Sequence, residues 1–301
     1  MASTTMRERV LVIGCNGQLG QSMRLVAESF PQLDCVFADR EQLDLTDLER
    51  IPHYLREIAP RFIVNCAAYT AVDKAESERE QADLINHRAV AALARGAVEL
   101  GACLVHVSTD YVFDGCHYRP YPEDHPTAPV NFYGESKLRG EQAIRESGAS
   151  SLIIRTSWVY SEYGGNFVKT MLRLGAERAQ LTVIDDQVGS PTYAPDLARM
   201  ICILIGQYPA LQQDERAGNC TLLHFSNEGV CSWFDFATEI MQLAGLPCEV
   251  KPIATEDYPT PARRPHYSVL SKARIRWFSG ATIPHWRHSL QLCVRNLKGS
   301  I

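Results

Sequence analysis

Short, unbroken apolar runs recur along the first half of this chain, and no other feature restricts its fold as tightly. "VLVI" (10–13), "CVFA" (35–38), "FIVNC" (62–66), "CLVHV" (103–107) and "LIIRT" (152–156) are rich in valine and isoleucine and do not alternate apolar with polar. A strand with one wet face alternates, whereas a strand covered on both faces need not. The stretches between the runs read as helices, as the crossovers between parallel strands require. The pattern predicts an α/β fold, a doubly wound parallel sheet with helices on both faces. The clearest helix is "QADLINHRAVAALARGAVEL", with apolar residues at Leu84, Ile85, Val90, Leu93, Ala97 and Leu100 and a stop at Gly101.

The turn after the first run carries a ligand signal. "VLVIGCNGQLGQSM" sets Gly14, Gly17 and Gly20 between a strand and the start of a helix. Glycines there allow a tight turn and let the backbone approach a pyrophosphate held by free N–H groups at the helix N-terminus. The spacing is G-x-x-G-x-x-G, and its place in the chain points to a dinucleotide. Asn16, Gln18 and Leu19 belong to the same turn. The second run ends in "FADR", with Asp39 roughly 25 residues beyond Gly14, where an acidic residue would grip the adenosine ribose. Arg40 beside it could instead meet a 2′-phosphate, so NADPH and NADH both remain open. Asp44 and Leu45, in "QLDLTD", are placed at the adenine edge. Cys66, Ala67, Ala68 and Tyr69 follow the third run, and their small side chains would let a cofactor lie flat across the strand ends.

A second signal lies farther on. The fourth run ends in "STDYVFDG" (108–115), and "YGESK" follows with Tyr133 and Lys137 four residues apart in a helical segment. One turn of helix places both on the same face. An ammonium beside a phenol favours the phenolate and lowers its pKa, which suits the tyrosine to proton transfer. A strand ending in Ser108 and Thr109 can offer a hydroxyl to polarise a substrate oxygen.

Beyond about residue 160 the rhythm loosens. "SPTYAPDLARMICILI" opens with prolines and becomes an amphipathic helix; "WFDFATEIMQLAG" is another, ended by Gly245. The proline-rich "EDYPTPARRPHYS" (256–268) is expected to be a substrate-facing loop. The reading is a dinucleotide-binding domain over 1–158 and a mainly substrate-binding α/β domain over 159–301, with the chain recrossing between them.

The ordered set "GCNGQLG", "NCAAYTAVDKAE", "VSTDYVFDG", "YGESKLRGE", "RTSWVY", "GGNFVKTML", "DQVGSPTYAPDLA" and "RPHYSVL" resembles the extended short-chain dehydrogenase/reductases, a Rossmann-type family, and within it the dTDP-4-dehydrorhamnose reductases. The resemblance spans nearly the whole chain. It implies reduction of a 4-keto nucleotide sugar by NADPH or NADH, with Thr109, Tyr133 and Lys137 as the catalytic set. Tyr133 would protonate the C4 oxygen, Lys137 would hold the nicotinamide ribose, and Thr109 would hydrogen-bond the reacting oxygen. Thr70, Val72, Asp110, Tyr111 and Trp158 match positions that face the sugar. Related dehydratases carry Asp-Glu after the threonine; this chain has Asp110–Tyr111, which favours simple reduction over water loss. Two other readings stay open: another nucleotide-sugar reductase or epimerase, and a non-catalytic subunit resembling the methionine adenosyltransferase beta subunit.

Composition narrows the partners. A net charge of −5 with no basic run argues against nucleic acid. The N-terminal "MASTTMRERVLVIG" holds a four-residue apolar run, too short for a signal peptide or a membrane span, so a cytoplasmic location is expected. Ten cysteines at irregular spacing, with no C-x-x-C pair, read as reduced thiols without a metal. Some members of the resembling family hold magnesium between subunits through glutamates. Here Pro195 stands at one such position and "HWRHSLQLCVRN" offers no carboxylate, so no magnesium site is expected and the assembly is read as a monomer or homodimer.

Overall fold

The computed structural model describes residues 7–211 and 218–299. Its first half alternates strands and helices: β1 (Glu8–Ile13), α1 (Gln18–Ala27), β2 (Leu33–Ala38), α2 (Arg50–Ile58) and β3 (Phe62–Asn65). Then come two short helices, α3 (Val72–Ala75) and α4 (Arg79–Asp83), followed by α5 (Ala89–Leu100), β4 (Cys103–Thr109), α6 (Phe132–Ser147) and β5 (Ser151–Thr156). The second half runs β6 (Val159–Tyr160), α7 (Phe167–Glu177), β7 (Gln180–Ile184), β8 (Val188–Gly189), β9 (Thr192–Tyr193) and α8 (Ala194–Leu211). It closes with β10 (Cys220–His224), β11 (Cys231–Ser232), α9 (Trp233–Ala244), β12 (Glu249–Ile253), α10 (Ala273–Ser279) and α11 (Trp286–Gly299).

All five apolar runs lie in one parallel sheet, ordered β10-β5-β4-β3-β1-β2. The absence of alternation has its reason in the packing. Val10, Val12, Val64, Val105 and Ile154 face one layer with Leu19, Met23, Leu197 and Ile201. Leu11, Ile13, Ile63, Leu104 and Ile153 face the other, with Ile51, Leu55, Leu93 and Ile144. The sixth strand, β10, was not among the sequence expectations. A separate core gathers Val168, Met171, Leu181, Val183, Phe236, Ile240, Trp286 and Leu290 from α7, β7, α9 and α11. Past residue 158 the chain returns to the sheet: α8 packs on α1, β10 pairs with β5, and α10 contributes Ile275.

The helix expected over 81–100 is not uniform. Leu84–Arg88 forms a π-turn between α4 and α5. The wider turn rotates the face, so the polar Asn86 is buried while Leu84 and Ile85 are only half-buried. At the other end Gly101 closes α5 in the left-handed conformation, φ 62°.

A buried ion pair ties the centre together. Arg155 on β5 grips Glu141 on α6 through two contacts of 2.8 and 2.7 Å, and Ser108 of β4 donates to the same carboxylate at 2.6 Å. All ten cysteines are free, and only Cys116 is exposed. Among the described residues no helix is long and apolar enough to cross a membrane.

Candidate active site

The glycine turn lies at the carboxyl end of β1. Gly14 adopts φ +77°, and a Cβ there would sit 2.8 Å from the Ala67 nitrogen, so this position admits glycine alone. Gly17 caps α1 without any side-chain hydrogen bond, and the first turn of that helix holds no acidic residue. A Cβ on Gly17 would meet only the Gly14 carbonyl, at 3.3 Å, so its absence leaves a cradle over the helix N-terminus. The shape and the polarity suit a pyrophosphate. Leu19 and Leu45 turn their side chains into the core, so only their backbone is open to a ligand. Gln18 also turns away, reaching Ser161 (3.1 Å) and Asn166 (2.9 Å) in the second half of the chain.

Asp39 closes its own loop by accepting from the Glu41 and Gln42 N–H groups at 3.0 and 3.1 Å, and Asn16 reaches it at 3.5 Å. Arg40 is spread over the surface toward Asp44, at 3.2 Å. Asp44 accepts from the Thr46 N–H and hydroxyl at 2.9 and 2.8 Å, and its carboxyl is held below the usual range by these Thr46 bonds, with help from Arg40. Cys66, Ala67 and Ala68 leave β3 half-buried. Tyr69 is fixed by Asn86, which accepts from its N–H at 2.8 Å and donates to its carbonyl at 3.0 Å.

The two halves of "STDYVFDG…YGESK" do come together. Thr109 and Tyr133 are neighbours, and the Thr109 hydroxyl accepts from the Tyr111 N–H at 3.2 Å and donates to Asp110 at 2.9 Å. Ser108 points to the other side of the strand, to Glu141, and so takes no part. The Tyr111 and Tyr133 rings meet edge to face with centroids 5.5 Å apart. Asp110 is buried, its second oxygen has no protein partner, and burial pushes its carboxyl up to about 7.

The helix bearing the pair is held at its start. Asn131 caps α6 by accepting from the Gly134 N–H at 2.8 Å, and Glu76 takes the Phe132 N–H at 2.8 Å. Lys137 is 2% exposed and donates to the Val107 carbonyl at 2.7 Å. The expectation that Lys137 lowers the Tyr133 phenol is not met: burial pushes that phenol up to about 12. Burial also pulls the Lys137 ammonium down to about 8, and its nitrogen is directed at β4, so it lends the tyrosine little charge.

A cleft of about 770 Å³ opens along the second core, under the proline-rich segment; Asp73 is its one lining residue from the first half, and Thr109, Tyr133 and Lys137 do not line it. Phe167, Met171, Leu181 and Trp233 form its apolar wall, and Arg178, Arg264 and Asp73 supply charge. Trp158 lies against Trp233, rings 3.6 Å apart and 12° from parallel, with its backbone in the left-handed region at φ 50°. That conformation is costly for a bulky residue and is found where a side chain must be aimed. Gly189 makes the space, since a Cβ there would lie 2.7 Å from the Trp158 ring. Thr70 is exposed, and Val72 is half-buried at the start of α3.

A family model described as "RmlD substrate binding domain" matches residues 7–298. The dTDP-4-dehydrorhamnose reductase of Escherichia coli (strain K12) is 40% identical over 296 residues, covering 96% of this chain and 97% of that one. The chain belongs to the dTDP-4-dehydrorhamnose reductase family. Spore coat polysaccharide biosynthesis protein SpsK of Bacillus subtilis (strain 168) is 39% identical over 284 residues, covering 94% of this chain and 95% of that protein. The crystal structure of the Bacillus anthracis dTDP-4-dehydrorhamnose reductase in complex with NADP superposes with a TM-score of 0.90 at 40% identity, covering 97% and 100% of the two chains.

As a member of the dTDP-4-dehydrorhamnose reductase family the chain also shows residues that local sequence patterns conceal. Asp73 receives Arg264 through two contacts of 3.0 and 2.8 Å and the Ala262 N–H at 3.1 Å, drawing the proline-rich segment across to α3. Asn131 donates to the Arg263 carbonyl at 2.7 Å, pinning the same segment to the start of α6. Asn86 donates to Ser136 at 3.0 Å and thereby joins the loop after β3 to α6. No short motif announces these partners, because each contact links residues far apart in the chain. The one clue was the unusual density of prolines around Arg263 and Arg264.

Proposed function

We propose that this protein reduces the C4 keto group of dTDP-4-dehydro-L-rhamnose to the alcohol, giving dTDP-L-rhamnose, with NADPH or NADH as reductant. The observation that carries the reading is that Thr109 at the end of β4 neighbours Tyr133, one helical turn before Lys137 on α6, at the carboxyl edge of the sheet that also carries the glycine turn. The residues around Gly14, Gly17 and Ala67 would hold the dinucleotide, which when bound supplies the hydride. As the C4 oxygen gains charge, Tyr133 gives it the phenol proton. A phenol pushed up to about 12 is fully loaded at neutral pH. An alkoxide is a stronger base than a phenolate, so the transfer runs downhill. Thr109, once its hydroxyl proton turns from Asp110 to the substrate, holds the same oxygen by a hydrogen bond that strengthens as charge develops. Lys137 would position the nicotinamide ribose, and Trp158 with Trp233 would offer a flat apolar wall to the deoxysugar.

Asp110–Tyr111 provides no second carboxyl after Thr109, which supports reduction over dehydration. Magnesium has no part in this reading, given Pro195 and the lack of carboxylates on α11. We infer a cytoplasmic enzyme acting on a small nucleotide sugar as a monomer or homodimer. The test is oxidation of NADPH and NADH with a panel of dTDP-4-keto-6-deoxy sugars, followed by product analysis. Turnover with dTDP-4-dehydro-L-rhamnose supports the reading. Turnover only with a different sugar would replace the substrate, and cofactor binding without turnover would make the protein a regulatory subunit.

A further inference from the structure

Between the cofactor turn and the catalytic helix lies a run of buried polar side chains that the mechanism above leaves unused. Asn65 ends β3, and His106 is its register partner on β4; they are 1% and 0% exposed. The Ala67 N–H donates to Asn65 Oδ1 at 3.1 Å. A backbone N–H can only donate, so this bond fixes which way the amide points, and its NH₂ faces His106 Nδ1 at 3.2 Å. The NH₂ can also only donate. Nδ1 is therefore the acceptor, and the neutral ring carries its proton on Nε2.

That proton faces Lys137, whose Nζ lies 3.3 Å from Nε2. An N–H opposite an ammonium sets donor against donor, while an N–H opposite a neutral amine makes a hydrogen bond. Nζ also donates to the Val107 carbonyl, which either charge state allows. Protonating the lysine in comfort requires the other tautomer, with Nε2 accepting and Nδ1–H turned to Asn65. The Asn65 amide would then flip and leave the Ala67 N–H without its acceptor.

The remaining charged and titratable neighbours do not reverse this bias. Glu141 is the carboxylate one turn along α6 from Lys137, and it is taken up by Arg155 of β5 and Ser108 of β4. Tyr133, one turn earlier, is neutral, and Asp110 at the end of β4 is engaged with Thr109. Burial acts in the same direction, drawing both the lysine and the histidine down.

We propose that His106, with its tautomer set by Asn65, is a positioning residue that controls the charge on Lys137 and couples it to the cofactor loop at Ala67. The proposal rests on the reading of Tyr133 and Lys137 as the working pair. The lysine's charge then depends on whether the Ala67 N–H keeps its bond to Asn65, so an event at the cofactor loop is felt one strand away at the catalytic helix.

The test is the pH profile of kcat for reduction of dTDP-4-dehydro-L-rhamnose by NADPH. Asn65→Asp offers a carboxylate to Nδ1–H, which frees Nε2 to accept from the ammonium. The alkaline break should move up by about one pH unit or more. His106→Gln, whose amide can turn its oxygen toward Lys137, should move it the same way and covers the case in which Asn65→Asp does not fold. Lys137→Met serves as reference and should abolish that break. A break that survives in Lys137→Met defeats the reading of the pair itself. A break that is lost in Lys137→Met but unmoved, or moved down, in the folded Asn65 and His106 variants overturns the proposal alone.

Discussion

Tyr133 and Thr109 differ in what their loss should cost. Tyr133→Phe keeps the ring and its edge-to-face contact with Tyr111, so cofactor affinity should persist while kcat falls by about 10²–10⁴. Thr109→Val removes one hydrogen bond to a developing charge and should lower kcat less. Steady-state kinetics with thermal melting of each variant checks both, because a merely structural tyrosine would lower the melting temperature and leave the specific activity intact. Asp110 makes a separate statement about pH. Its folded pKa, about 7, stands above the value of a free aspartate, about 4, so the folded state binds the extra proton between those limits. The stability Asp110 contributes is full below pH 4 and is lost as pH rises through 7. Asp110→Asn should therefore raise the melting temperature at pH 8 relative to wild type, with the gain shrinking toward pH 4. Thermal scans across that range measure it.

The β1–α1 turn and the β4–β5–α6 junction carry their own expectations. Gly17→Val adds a side chain over the helix N-terminus where only the Gly14 carbonyl is near, so dinucleotide affinity should drop at least tenfold with the fold retained. Fluorescence titration with NADPH and NADH reads this directly. Glu141→Gln leaves Arg155, 1% exposed, without its counter-charge, and breaking a buried pair this way costs about 3–5 kcal/mol. Urea denaturation should show that loss. The turn, the five strands and the Tyr133–Lys137 spacing were readable from sequence because each depends on near neighbours along the chain. β10 was not, since "CTLLH" is a short run whose partner β5 lies far back. Asn86 was hidden because a π-turn within a helical pattern looks like unbroken helix. The Tyr133 phenol was misjudged for a related reason. Spacing brings Lys137 to the right face, but the Val107 carbonyl and His106 decide where its nitrogen points.

Across the protein, Asp73 on α3 and Arg264 in the proline-rich segment join distant parts of the chain at the cleft. Asp73→Asn should raise KM for the nucleotide sugar several-fold while changing stability by no more than about 1 kcal/mol, because the pair is partly exposed (Asp73 40%, Arg264 22%). Kinetics beside thermal melting separates these effects. The division we propose is by packing more than by position: α8, β10 and α10 belong with the sheet although they lie beyond residue 158. This has a consequence for the chain as it leaves the ribosome. Until α8 emerges, the face of Val12, Val64, Val105 and Ile154 lacks the cover of Leu197 and Ile201. Until β10 emerges, β5 is a bare sheet edge of the kind that invites mispairing. The nascent first half, though it holds the glycine turn and the whole Thr109–Tyr133–Lys137 set, must therefore wait for the second half to be translated before it can close its sheet.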